Sequence, residues 1–290
     1  SDALEHRLMF SSRLPSREKR RNLLKLHLCG FNQERSMKPD TSRWRDQDQY
    51  EFYDDLPVEG VAWECLRRSA AYQASFDDIV AQGDRDLPLS DDVQDCWGFD
   101  FPADPGLSAL DQPVIWSPVA NPDMLILGTA PDFLRPSPSA LSVDIADGIH
   151  GPEGAYGICG ARDGVQYLIL ADTDANSQPA IILPLDENLP DRLEAILRLW
   201  HMLAGKPARR DPRMTPYQRR RFRLMMQAAD GNANHATYRE IAIAIYGEAR
   251  VRAEPWKTSA LRASVIALVR SAATLIDGGY QDLLRHRRKP

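Results

Sequence analysis

Two short stretches near the C-terminus constrain this chain more than any others. Thr215-Pro216-x-Gln218 and Thr237-x-x-Glu240 each set a hydroxyl three residues ahead of a Gln or Glu, the reciprocal pattern that satisfies orphan amides at a helix start. Proline at the first helical position strengthens the first stretch. Apolar stripes follow both. One helix is expected from there to about Ala229, before Gly231, and a second from Tyr238 to a stop at Gly247. A third is expected from Thr258 or Ser259 to near Gly278-Gly279. On it, at 100° per residue, Leu261, Val265, Leu268, Ala272 and Leu275 gather on one side, and Ser259, Arg262, Ala263, Ile266 and Arg270 on the other. The last 75 residues therefore read as a three-helix module.

Charge sets this module apart. Residues 206–290 carry 18 Lys and Arg against 7 Asp and Glu, whereas 37–205 carry 10 against 30, and 1–36 carry 8 against 4. A basic module attracts phosphate backbones and an acidic body repels them. The alternative is that the two parts attract each other, within one chain or between chains.

Four regions are expected. Residues 1–36 read as a basic N-terminal extension, disordered or preceding the natural start. The codons of Gln33-Glu34 can contain a bacterial ribosome-binding sequence just ahead of Met37, so many natural products are expected to begin there. Residues 37–112 read as a helical N-terminal domain with an acidic, partly ordered connector, and Trp44, Tyr50, Phe52, Tyr53 and Trp63 are its expected core. Residues 113–205 read as an antiparallel strand region, with strands at 113–118, 124–130, 165–172 and 179–185. The segment "DTDANSQ" joins the last two as a hairpin turn, and a helix follows at 189–205. That helix has an apparent stripe of Leu193, Ile196, Leu197, Trp200 and Leu203. Residues 206–290 are the basic module. The expected class is α+β.

Local motifs for catalysis or metal binding are missing. The four cysteines are widely separated, without C-x-x-C. The six histidines form no H-x-x-x-H pair, and neither a nucleophile elbow nor a glycine-rich phosphate loop occurs. "DTDANSQPAIIL" begins like a calcium loop but has Ser177 and Leu183 where the loop needs Gly and Glu. "GIHGPEGAYGICG" has glycine at every third position but is too short for a collagen helix, and reads as a flexible loop. No catalytic residue, metal or cofactor is expected. No apolar run reaches the roughly 18–20 residues that span a bilayer, and no signal peptide is evident, so a cytoplasmic protein without membrane contact is expected.

The module's polar residues suit a DNA duplex. Arg219, Arg220, Arg221 and Arg223 on the first helix, with Arg239 on the second, are candidate phosphate contacts. On the third helix, Arg262 can bond guanine bidentately, Ser259 can bond base edges, and Ile266 or Ala263 can touch a thymine methyl. Lys257 and Thr258 at its start can hold a phosphate, and Arg270 extends the same face. Trp256 is expected to anchor the helix start. A plain reading competes: solvated arginines and an ordinary cap. The second and third helices resemble a helix-turn-helix, except that about ten residues, Glu248 to Lys257, replace the usual three- or four-residue turn.

Two blocks carry a family resemblance. "MKPDTSRWRDQDQYEFYDDLPVEGVAWECLRR" resembles the N-terminal domain of proteobacterial transcriptional regulators. "TPYQRRRFRLMMQAADG", "ATYREIAIAIYG" and "EPWKTSALRASVIALVRSA" resemble the C-terminal domain that accompanies it. Together they point to RovC-like and FseA-like transcriptional activators. The resemblance implies a DNA-binding regulator of secretion-system or mobile-element genes. It also implies homo-oligomers, with RNA polymerase or an antiactivator protein as further partners. The alternative is a protein-interaction module, such as an antiactivator of a related regulator.

Overall fold

The aromatic residues of the N-terminal region gather as expected, and the C-terminal helices lie directly on them. A computed structural model describes residues 38–83, 88–131, 133–134, 149–160, 162–174 and 178–286. The expectations for residues 1–36 lie outside the described residues. A 3-10 turn, Gln47–Asp54, leads into α1 (Val58–Leu66), α2 (Ala70–Gln82) and α3 (Asp91–Trp97). Every residue of α1 is buried, including Glu59 and Glu64. This explains why its sequence, VEGVAWECL, lacks a one-sided stripe: a helix enclosed on all sides has none.

The sheet has β1 (Leu125–Thr129), β2 (Ile149–Gly151), β3 (Gly154–Cys159), β4 (Val165–Leu170) and β5 (Pro179–Ile182), in the order β2-β3-β4-β1-β5. Three pairings are antiparallel, and β1 runs parallel to β4. The chain is α+β, with helices before and after the sheet.

Several local expectations are corrected. β4 and β5 do not form a hairpin, because β1 lies between them. The glycine-rich stretch is not a loop but the β2–β3 hairpin. Its glycines admit rings: a Cβ on Gly157 would fall 2.4 Å from the Tyr167 ring, so only glycine lets that ring cross the strand. Residues 113–118 form no strand, only an isolated bridge between Phe99 and Trp116. Pro113 and Pro118 flank this segment. The Trp116 amide bonds Gln166 Oε1, a side chain rather than a ladder, and the indole donates to Glu59 O at 3.1 Å.

Helix α4 (Leu189–Leu203) packs on β1 and β4. Its rotation differs from the apparent stripe. Ala195, Arg198 and Leu199 are buried, while Leu193, Leu197 and Trp200 are 47%, 39% and 41% exposed. Arg198 explains the rotation. Its guanidinium pairs with Asp123 and with Asp211 at 2.8 Å, both buried, and that charge lock turns the helix away from its greasiest side.

Three longer helices close the fold: α5 (Pro216–Ala233), α6 (Tyr238–Tyr246) and, after the short α7 (Glu248–Arg252), α8 (Ala260–Ile276). Both capping boxes form as read. Helix α5 runs through Gly231 instead of stopping before it. A Cβ there would lie 2.9 Å from Trp44 and 3.0 Å from Ile241, so the glycine serves as a packing notch. One hydrophobic core joins Trp44, Trp63 and Phe99 to Phe222, Ile241, Val265 and Leu284, and the sheet has two smaller clusters of its own. Among the described residues, no helix is long and apolar enough to cross a membrane.

Candidate nucleic-acid interface

The three-helix module is braced from the N-terminal side by buried polar contacts. Arg68, just past α1, forms a bidentate pair with Asp230 of α5 at 2.8 and 2.9 Å, and the Tyr50 hydroxyl donates to the same carboxylate at 2.7 Å. Gln47 donates to the carbonyls of Ala244 and Ile245, satisfying the C-terminal end of α6. Gln227 donates to the Trp44 carbonyl. Between α6 and α8, the Tyr246 and Ser264 hydroxyls bond at 2.7 Å, which ties the two helices together.

A second network sits where the module meets the sheet. Arg213, fully buried, pairs with Glu59 and Asp211 at 2.6 Å each and with Asp123 at 3.3 Å. It also donates to Asn121 and to the Leu284 carbonyl. Burial works against the charge on Asp211, but Arg213 and Arg198 outweigh it and hold the carboxyl below its ordinary range. His286 bonds Asp123 at 2.9 Å; burial disfavours its charged form, yet the carboxylate prevails and raises its pKa.

The long connection between α6 and α8 is structured. Helix α7 and a 3-10 turn, Trp256–Thr258, occupy it, with Val251 buried as their anchor and Trp256 packed against the core. The enlarged turn is thus a short helix. It brings Arg250 and Arg252, which sequence reasoning treated as linker, to the surface between α6 and α8. Arg252 pairs with Glu248 at 2.6 Å, and Arg250 lies 5.6 Å from the Tyr246 ring centre. The signal was there in "EARVR", one apolar residue between two arginines.

The candidate residues divide. Arg220, Arg221, Arg239, Lys257, Arg262 and Arg270 are exposed and have no ion pair among the described residues. Thr258 is exposed, its hydroxyl donating to the Pro255 carbonyl. Ile266 is half-buried. Three others do not face outward. Arg219 is 2% exposed, with Nη1 donating to the Leu56 carbonyl. Arg223 is half-buried and pairs with Asp54 at 3.3 Å and Glu51 at 3.8 Å. Ser259 is buried, its hydroxyl accepting from the Leu261 amide at 3.0 Å and donating to Glu254 at 2.7 Å. Its hydroxyl is engaged as the helix cap. Helix α5 is flanked by the 3-10 turn Gln47–Asp54 on one side and by α8 on another, so arginines assigned to a single solvated face are split between core and surface.

Comparison with known families now adds a class. Residues 182–285 match the RovC DNA-binding family model, described as a T6SS transcription-factor DNA-binding domain. Residues 43–102 match the proteobacterial transcriptional regulator-like domain. No curated protein matches the chain. The two matched regions indicate a transcriptional regulator with a DNA-binding domain, similar to RovC-like regulators, as the terminal blocks implied. The DNA-binding match takes in α4 as well as the basic helices.

Proposed function

We propose that this regulator is a sequence-specific DNA-binding activator of secretion-system or mobile-element genes, acting in the cytoplasm, and that α8 is its reading helix. The observation that carries this reading is the outer stripe of α8. Arg262, Ile266 and Arg270 recur every four residues, and neither arginine has an acidic partner among the described residues. At 1.5 Å per residue the stripe is about 12 Å long, comparable with the width of a B-form major groove. Arg262 near the helix start is the candidate for bidentate contact with guanine, and Ala263 and Ile266 for a thymine methyl. Lys257, Thr258, Arg220, Arg221 and Arg239 are candidates for phosphates on either side. Arg250 joins them as a residue found from the fold.

The expected homo-oligomer draws support from α4. Leu193, Leu197 and Trp200 form an exposed apolar ridge, and Trp200 shares a hollow with Pro179 and Ile181 of β5. Pro179 at the start of β5 and Pro184 just after it disfavour extension of that edge by another strand. Beside the ridge, Glu194 pairs with Arg209 of the same chain at 3.1 Å, and the Lys206 ammonium lies 3.7 Å over the Trp200 ring. An antiparallel pairing of two α4 helices across a twofold axis would cover the ridge. RNA polymerase or an antiactivator remains the proposed partner for the acidic body.

The test is a gel-shift titration on the DNA upstream of this protein's own coding region and of neighbouring secretion or excision genes, at several salt concentrations. A specific shift that weakens steeply with salt is expected. Binding of a related regulator with no DNA shift on any such fragment would instead favour the antiactivator reading, in which the basic helices meet an acidic partner.

A further inference from the structure

A cavity of about 360 Å³ opens between α5, α8 and the 3-10 turn Gly279–Leu283. Its volume lies within the range of small-molecule sites. The floor is apolar: Met214, Phe222, Met225, Leu275 and Leu283 line it. The two methionines suit a floor that must adapt to a flexible or irregular guest.

The polar groups at the mouth are asymmetric. Arg221 and Arg285 line it against a single acid, Asp282, which leaves one positive charge in excess. Arg221 is exposed and has no hydrogen bond or ion pair among the described residues. Arg285 uses one Nη2 contact, to the Val119 carbonyl at 3.1 Å, and keeps its other donors. Arg213 also reaches the wall, but its donors are consumed by Asp211, Asn121, Glu59 and Leu284. It is structural there, and the anion-holding capacity belongs to the two arginines at the mouth.

We propose that this cavity binds a small amphipathic monoanion, a carboxylate carried on an apolar chain or ring. The carboxylate pairs with Arg221 and Arg285, and the apolar part displaces water from the methionine and leucine floor. An uncharged analogue loses the ion pairs. A cationic one meets both arginines and is rejected.

The site has a regulatory consequence that rests on the DNA-binding reading. Arg221 cannot neutralise a ligand carboxylate and a DNA phosphate together, so occupancy weakens DNA binding several-fold. Ser271, Thr274 and Leu275, on the second half of α8, also line the cavity.

The experiment uses the full chain without DNA. Octanoate, 4-phenylbutyrate, octanol and octylammonium are titrated by calorimetry and followed by thermal shift. At least one of the two carboxylates is expected to bind at a single site and raise Tm, octanol to bind more weakly and octylammonium not at all. Arg221→Gln, a change at an exposed side chain, is expected to weaken carboxylate binding about tenfold. Met225→Trp, which fills the cavity, should abolish it. Should that variant not fold, Arg221→Gln alone decides. Failure of both carboxylates to bind, equal binding to Arg221→Gln, or binding of octylammonium as tight as octanoate overturns the proposal. Because the readout needs no DNA, carboxylate binding by a protein that shifts no DNA would leave the cavity assignment standing and remove only its regulatory consequence.

Discussion

Arg219 and Arg220 are adjacent in sequence and lie in different media. Arg219 is buried against the Leu56 carbonyl, with its Nη2 lacking a hydrogen bond, while Arg220 stands in solvent with no partner among the described residues. The same division runs through the basic module. Arg213 and Arg223 are spent on acids of the N-terminal and central regions, whereas Arg221, Arg239, Arg262 and Arg270 are left over. The contrast between acidic body and basic end therefore does two jobs. Part of the positive charge joins the regions together, and the remainder is available to a polyanion.

This division can be broken most severely at Arg213. Arg213→Met would leave Glu59, Asp211 and Asp123 buried without that cation, and a loss of about 3–5 kcal/mol is expected in urea denaturation. A loss under about 1 kcal/mol would mean that the network does not hold the regions together.

On the surface side, Arg262→Ala is expected to cost about 1–3 kcal/mol of discrimination at one base pair. Arg220→Ala should instead weaken all DNA about equally and reduce the salt slope by roughly 0.9. Binding measured on a set of single-base variants checks both. Exchanged outcomes would show that α8 is not the reading helix.

Arg219→Ala sharpens the contrast within α5. It should destabilise the fold by about 1–2 kcal/mol, through the orphaned carbonyl and lost packing, and leave DNA affinity per folded molecule unchanged. Ser259→Ala should behave in the same way at about 1 kcal/mol, the usual cost of a lost cap, with base preference intact. A change of base preference on Ser259→Ala would put that hydroxyl back at the interface.

The smallest effect concerns a carboxylate with no cationic partner among the described residues. Asp211 has two arginines, whereas Asp100 is pushed up to about 6 by burial and by the charge of Glu153. A raised carboxyl pKa means the folded chain binds the proton more tightly than the unfolded one. Stability is then lost as pH rises from the ordinary carboxylate range through about 6. Discounted for solvent screening around this side chain, the gain on Asp100→Asn should be roughly 1 kcal/mol at pH 8 and nothing at pH 3.5, in thermal melts across that range. A gain independent of pH would assign the effect to something other than this proton.

Much of the helical module was legible. The capping boxes set the starts of α5 and α6, Gly247 ended α6, and the inward stripe of α8 packs as the 100° periodicity required. These are local signals, read within one or two turns. The sheet was less legible. β1 pairs in parallel with β4 across an intervening hairpin, and no local pattern reveals a non-local partner. The rotation of α4 was not legible because Arg198, whose side chain a local pattern gives no reason to bury, finds two buried carboxylates from other parts of the chain.

The candidate interface divides along the same line. The sequence by itself determined which residues are basic, where the helices begin, and that Arg262, Ile266 and Arg270 share a face, because charge and helical period are properties of a segment alone. Only the tertiary structure decided which arginines remain available. Burial depends on what packs against each face, and the partners of Arg213, Arg219 and Arg223 lie more than a hundred residues away in the chain at Glu59, Leu56 and Asp54.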